Sequence, residues 1–347
     1  MARSTSVKLP FLGEPGDKKI ARQIKALVGK ASSIVISGHE RPDGDCIGSE
    51  VALCAILRAA GRKAEVVNSD PVPLRYQFLV PQGMIRRFAP NEQLAAPLVF
   101  VLDATDLRRL GRINPRQLGG AKIINLDHHC DNPSFGDINL VDPKASATGE
   151  VIWRVVAACG WKVPPLALEA LYTALVTDTG QFSYGNTTSR SLRMAAELVE
   201  LGVSPERIWR TIYLNRSAAE LALEARARNS LELAAGGRIG CIALRRKDFL
   251  QTKTGSQHAE DLVGIPRSVA GVEMALFFYE FDKGRQTKVS IRTTPRWNAS
   301  VLAAQFGGGG HRQAAGCHIA AGLPKAKIKF LAAARVFIRK GPAHDRG

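Results

Sequence analysis

Three short apolar runs each stop at a residue able to bind a proton or a metal. Ile34-Val35-Ile36 is followed, after Ser37-Gly38, by His39. Leu98-Val99-Phe100-Val101-Leu102 runs into Asp103, and Ile123-Ile124-Asn125-Leu126 runs into Asp127-His128-His129. Short runs of this kind, without polar alternation, read as strands covered on both faces, as in a parallel sheet. Lys63 to Asn68 reads as another strand. A helical pattern runs from about Ile47 to Ala60 and closes at Gly61, which suits a left-handed cap. Further helices are predicted at about Ala147–Cys159, Pro165–Val176 and Thr188–Leu201. The alternation predicts an α/β fold, a doubly wound and mainly parallel sheet with helices on both faces. Such sheets bind ligands at the carboxyl ends of their strands, which is where the acids and imidazoles stand.

The 347 residues suit two domains or one large one. Residues 1–19 read as a basic leader and 20–203 as the first domain. Ser204-Pro205, an N-cap followed by a first-turn proline, opens a helical connector over 204–235 that ends at Ala235-Gly236-Gly237. A smaller C-terminal α/β domain is expected over 236–340. It has strands at Ile239–Leu244, Val272–Phe281 and Lys288–Arg292, and a helix from about Ala299 to Phe306 that enters Gly307-Gly308-Gly309-Gly310.

Composition narrows the function. With 45% hydrophobic and 23% charged residues, a disordered chain, a collagen and a disulfide scaffold are excluded. No stretch reaches the roughly 18–20 apolar residues of a membrane span, and Met1–Lys19 lacks the apolar core of a signal peptide. None of the six cysteines forms a C-x-x-C pair, so reduced thiols in a cytoplasmic protein are expected. Lys and Arg exceed Asp and Glu by 48 to 31, a net +17, which favours an anionic partner. Twelve of these cations and one acid lie between Arg285 and Gly347. Aromatic residues make up 6%, too few for a long single-strand stacking track.

Histidine is scarce, seven in all, yet three of the seven follow predicted strands. His39-Glu40-Arg41-Pro42-Asp43-Gly44-Asp45 places an imidazole and two carboxylates on one turn. Asp103 and Asp127-His128-His129 end two other strands, and Asp178 stands in Thr177-Asp178-Thr179-Gly180 at the end of an apolar helix. Singly, each is explained as a cap, a loop carboxylate or a helix end. Together, aspartates crowded at one sheet edge repel one another unless cations neutralise them. Mixed imidazole and carboxylate donors suit Mn²⁺ or another first-row ion better than Ca²⁺. Six candidate ligands, His39, Asp43, Asp45, Asp103, His128 and Asp178, suit two ions ~3.5–4 Å apart better than one.

These motifs resemble the DHH phosphoesterase superfamily, named for the triplet seen here as Asp127-His128-His129. Gly307-Gly308-Gly309-Gly310-His311-Arg312-Gln313-Ala314-Ala315-Gly316 is similar to the signature of that family's partner domain. The resemblance covers about residues 20–335, and the two-domain size is that of the nano-RNase and pAp-phosphatase branch. It implies one metal on His39, Asp43 and Asp103 and a second on Asp45, Asp103, His128 and Asp178, with Asp103 as the bridge. It also implies that His129 contacts the scissile phosphate or the leaving oxygen and that Asp127 orients a histidine. Asp106, Arg109, Leu110 and Gly111 resemble the family's continuation after the bridging aspartate. Arg292, Gly308, Gly309, Gly310 and His311 are expected to hold the substrate, with Arg267 a weaker candidate. His258, His318 and His344 carry no pattern.

The function implied is hydrolysis of short oligoribonucleotides and of 3'-phosphoadenosine 5'-phosphate (pAp), by a hydroxide activated between two divalent ions. Expected partners are short single-stranded RNA or DNA and nucleotide phosphates, with no membrane. A homodimer is compatible with this reading, which leaves oligomeric state open. One alternative is a phosphodiesterase of cyclic dinucleotides or of their linear products. Another is an inactive nucleic-acid-binding protein on the same fold.

Overall fold

The computed structural model describes residues 16–341 apart from positions 90, 282, 283 and 311. It divides into two compact units, one ending at Asn215 and the other starting at Arg216.

The first unit contains α1 (Asp17–Lys30), β1 (Ile34–Ser37), α2 (Gly44–Ala59), β2 (Ala64–Asn68), β3 (Ile85–Arg87), β4 (Leu98–Leu102), β5 (Lys122–Asp127), β6 (Ile138–Val141), α3 (Thr148–Cys159), α4 (Pro165–Asp178), α5 (Ser189–Glu200) and α6 (Pro205–Tyr213). Its six strands run in the order β3-β2-β1-β4-β5-β6, and every pairing among the described residues is parallel. Alternate residues of each strand face opposite layers. Ile34, Ile36, Phe100, Leu102 and Leu126 enter the core shared with the α-helices. Val35, Val67, Val99 and Val101 face Phe88, Leu94, Leu110 and Leu118, so the helical cover on that side is made of 3-10 turns at Leu107–Leu110 and Pro115–Leu118.

α2 is buried from Gly44 to Leu57 and is apolar nearly all round, as a helix inside a core must be. It crosses α4 at very close range. A Cβ on Gly48 would lie 2.5 Å from the Ala170 carbonyl oxygen, so this position accepts only glycine without a shift of backbone. That crossing brings the start of α2, with Asp45, beside the end of α4, with Asp178.

Residues 17–19, read from sequence as part of the leader, are instead the first turn of α1. Asp17 is 2% exposed and takes two hydrogen bonds from the equally buried Arg154, both at 2.8 Å. Arg154 also pairs with Asp142, which Arg190 holds as well at 2.9 Å. The start of α1 therefore belongs to the domain core.

The second unit contains α7 (Ala218–Asn229), β7 (Glu232–Ala234), β8 (Ile239–Leu244), α8 (Arg246–Thr252), α9 (Gly264–Arg267), β9 (Met274–Phe281), β10 (Gln286–Thr293), α10 (Ala299–Ala304), β11 (Gly309–Gly310), β12 (Ala314–Ile319) and α11 (Leu323–Lys340). Its mixed sheet has the order β11-β12-β10-β9-β8-β7, and among the described residues only β8–β9 pair in parallel. Trp297, Leu302, Phe330 and Ile338 pack on one face. Leu223, Phe249, Leu262 and Val263 pack on the other, against β8 and β9.

The stretch read as one connector, 204–235, holds two helices that serve different cores. Ile208 and Ile212 of α6 join the first core, whereas Leu223 and Ala227 of α7 join the second. The unit boundary falls between them. Among the described residues no helix is long and apolar enough to cross a membrane.

Candidate active site

The strand order places a topological switch between β1 and β4, because the chain leaves β1 towards β2 and leaves β4 towards β5. A crevice opens at the carboxyl ends of two such neighbours. His39 follows β1 and Asp103 follows β4, so both stand at that crevice.

Each side chain is fixed by its local structure. Asp43 caps α2, its Oδ1 accepting from the Asp45 and Cys46 amides at 3.0 and 3.1 Å. Asp45 thus lies within the helix's first turn. His39 Nδ1 donates to the Glu40 carbonyl at 2.8 Å, leaving Nε2 to face the carboxylates. Asp103 adopts the left-handed conformation at φ 54°, an uncommon backbone that aims its carboxylate inwards. His128 turns its Nδ1 towards the Ala145 carbonyl at 3.3 Å and its Nε2 towards the acids.

Two sets of atoms result. His39 Nε2 lies 3.5 Å from Asp103 Oδ2 and 3.8 Å from Asp43 Oδ1. His128 Nε2 lies 3.6 Å from Asp103 Oδ1, and 3.7 Å from both Asp45 Oδ2 and Asp178 Oδ2. Asp103 therefore offers one oxygen to each set. His129 Nδ1 is held at 2.7 Å by Asp127 Oδ1, whose other oxygen accepts from Asn132 Nδ2 at 2.6 Å.

The electrostatics call for cations. Burial pushes the Asp45 carboxyl well up, and the negative charges of Asp103 and Asp178 push it further. Burial likewise pushes Asp178 up to about 7. Burial alone would lower His39, but hydrogen bonding to Asp103 and Asp43 raises it to about 11. His129 rises to about 9 against its burial, chiefly through Asp127. Burial would raise Asp103, yet hydrogen bonding to His39 holds it below the carboxylate range. Without metal, protons on imidazoles and acids carry the counter-charge, and a divalent ion would displace them. Within the described residues, Asp45, His128 and Asp178 bring ligand atoms within 4.8 Å of one another, as do Asp103, His128 and His129, and His39, Cys46 and Asp103. The donor set fits divalent metal. Burial pushes the Cys46 thiol well up, which leaves it a protonated and weak ligand.

Several supporting residues were not legible from sequence. The Thr148 and Gly149 amides, at the start of α3, donate to Asp45 at 2.6 and 3.0 Å, and the Thr148 hydroxyl donates to Asp103 Oδ1 at 3.0 Å. α3 has no side-chain cap of its own on Ala147; Asp45 supplies one from another helix. Asn186 donates to Asp178 Oδ2 at 3.2 Å. The available clue was Ser146-Ala147-Thr148-Gly149-Glu150, a polar entry into an apolar helix. Asp106 caps the 3-10 turn Leu107–Leu110, Leu110 is buried, and the Arg109 carbonyl accepts from the Glu40 amide at 2.6 Å. This loop buttresses the one that carries His39.

In the second unit, Arg292 and Arg267 line one cavity of about 150 Å³ with Glu273, Thr293 and Thr294. The glycine run divides by cause. A Cβ on Gly308 would fall 2.2 Å from the Gly316 carbonyl oxygen, and Gly310 has φ +140°. Gly309 meets nothing within 4 Å, so the fold alone does not explain it. His311 lies outside the described residues.

Comparison with known proteins follows this division. The family described as "DHH family, N-terminal domain" matches residues 33–175, and the "DHHA1 domain" matches residues 248–340. The chain is similar to a bifunctional oligoribonuclease and PAP phosphatase NrnA of Thermus thermophilus, with 30% identity over 86% of each chain. Its Bacillus subtilis counterpart is 29% identical over 83% of this chain and 89% of that one. The cyclic-di-AMP phosphodiesterase PdeA of Listeria monocytogenes is 25% identical over 84% of this chain but 45% of its own length. In structure, an exopolyphosphatase-related protein from Bacteroides fragilis superposes with a TM-score of 0.87 at 24% identity, over 92% of this chain and 96% of that one. That likeness bears on the fold.

Proposed function

The chain belongs to the DHH family of phosphoesterases, and from that premise we propose that it is a divalent-metal-dependent exoribonuclease of short oligoribonucleotides that also dephosphorylates pAp. The observation that carries the proposal is the meeting of His128 Nε2 with carboxylates from three separate elements, Asp45, Asp103 and Asp178, at 3.6–3.7 Å. The names of the relatives from T. thermophilus and B. subtilis support the substrates.

His39, Asp43 and Asp103 would hold one ion, and Asp45, Asp103, His128 and Asp178 the other, with Mn²⁺ best suited to this donor set. Bound ions would supply Lewis acidity and lower the pKa of coordinated water. Asp103 keeps both sets in register through its two oxygens. His129, protonated against Asp127, donates to the phosphoryl or leaving oxygen as charge develops there. Arg292 grips substrate phosphate through its fork of N–H donors, and the Gly309 backbone permits close approach of a phosphate. Six free thiols fit a reducing, cytoplasmic setting.

The PdeA likeness favours one further reading, cleavage of cyclic di-AMP or its linear product. Product analysis on labelled di- to pentaribonucleotides, pAp and cyclic di-AMP, each with and without Mn²⁺, separates them. Mn²⁺-dependent release of mononucleotides and of AMP from pAp is expected. Turnover of cyclic di-AMP alone would replace the proposal with the second reading. Full activity of Asp103→Asn would overturn the role of the shared carboxylate.

A further inference from the structure

We infer that the part of the β10–β12 face left open is a subsite for single-stranded oligonucleotide, with Lys288 on a phosphate and Phe281 and His318 against a base. The inference rests on the oligonucleotide reading above and identifies which residues set the length of chain bound.

Strand parity selects the face. Val289 and Ile291 point into the core with Trp297 and Phe330, so Lys288, Ser290 and Arg292 point the opposite way. On that second face α7, α8 and the 3-10 turn Glu260–Val263 cover β8 and β9, and the turn also reaches part of β10. Lys288, Ser290 and Arg292 remain half-exposed, and His318, opposite Lys288 in the β10–β12 register, is exposed. A basic strip thus runs along the strand.

Each end of the strip opens into a cavity. At the Arg292 end is the one lined by Arg267 and Arg292. At the Lys288 end is a larger one, about 240 Å³, lined by Arg246, Phe249, Leu250, Tyr279 and Phe281 and by one carboxylate, Glu280. Phe281 is 48% exposed, and its ring lies 5.6 Å from that of His318. Lys288 Nζ sits 5.6 Å from the Tyr279 ring. Tyr279 is itself buried, so the ring open to a base is that of Phe281, with the Lys288 cation nearby. An exposed ring beside positive charge is what single-strand recognition uses, where bases stack and the backbone meets cations. From Lys288 to Arg292 is four strand residues, about 13 Å. A stacked strand covers that length in about four nucleotides at ~3.4 Å each, and an extended strand in fewer. The chemistry therefore points to a single-stranded oligonucleotide of three to five residues. pAp is too short to reach both ends.

The test uses the Mn²⁺-loaded full-length enzyme and its variants Phe281→Ala, His318→Ala and Lys288→Gln, with pAp, a diribonucleotide and a pentaribonucleotide as substrates. For the pentanucleotide, loss of a stacking partner should raise KM about 5- to 100-fold. Lys288→Gln should make the salt dependence of log(kcat/KM) shallower by about 0.7. KM for pAp should stay at its wild-type value. Unchanged pentanucleotide KM and salt slope in all three variants would overturn the subsite, as would an equal rise in KM for pAp and pentanucleotide. A wild-type enzyme that cleaves pAp but no oligonucleotide would also overturn it while sparing the metal centre. A wild type inert on every substrate would sink the functional reading itself.

Discussion

Asp127 Oδ1 accepts a hydrogen bond from His129 Nδ1 at 2.7 Å and another from the His128 amide at 2.8 Å. One buried carboxylate thereby fixes both histidines that follow it. His128 turns towards the acids, while His129 is held through its Nδ1. Asp127→Asn should lower kcat on pAp about 10- to 100-fold with a much smaller change in Mn²⁺ affinity. Steady-state kinetics beside a Mn²⁺ thermal-shift titration checks this. A loss of metal affinity in step with kcat would show that Asp127 acts through the metal ligand His128 and overturn an effect confined to His129.

The crowded acids predict a pH signature in metal-free protein. Asp178, pushed up to about 7 mainly by burial, binds its proton more tightly folded than unfolded. Its contribution therefore falls as pH rises from about 4 through 7. Asp178→Asn should flatten this decline and leave metal-free protein at pH 8 at least as stable as wild type. Mn²⁺ at a hundredfold its Kd should stabilise wild type by about 2.7 kcal/mol, and the variant by much less. Urea titrations at pH 5 and 8, with and without Mn²⁺, measure both effects.

Arg154 joins Asp17 to Asp142 while 2% exposed. Arg154→Ala leaves two carboxylates without their shared cation and should cost about 3–5 kcal/mol in equilibrium unfolding. A loss below 1 kcal/mol would show that α1 is not anchored by this pair.

Gly309 is open where Gly308 and Gly310 are not. Gly309→Ala should keep the wild-type melting temperature and raise KM for pAp about tenfold, the cost of weakening a hydrogen bond to a charged group. Gly308→Ala should lower the melting temperature, since its new methyl would meet the Gly316 backbone.

The acids and histidines of the first unit were legible because parallel strands project their carboxyl ends to one edge, so His39, Asp103 and Asp127 announce themselves by following apolar runs. The strands β3 and β6 were not, being short edge strands, Ile85–Arg87 and Ile138–Val141, whose polar residues break the apolar signal. α1 was masked by its charge, and its anchor, Arg154, lies 137 residues away. The donors on Asp45 and the glycine contacts were invisible for another reason. Backbone amides of Thr148 and Gly149 belong to no side-chain pattern, and a run of four glycines does not say which is needed for packing and which for a ligand.

Asp45 has two occupations. It faces His128, and it also terminates α3 from outside by taking the Thr148 and Gly149 amides. A descendant drifting out of catalysis could shed Asp178 without removing a helix cap, whereas Asp43 caps α2. Position 45 would resist such drift on architectural grounds, so an acid there testifies to the scaffold, and activity must be read from its neighbours.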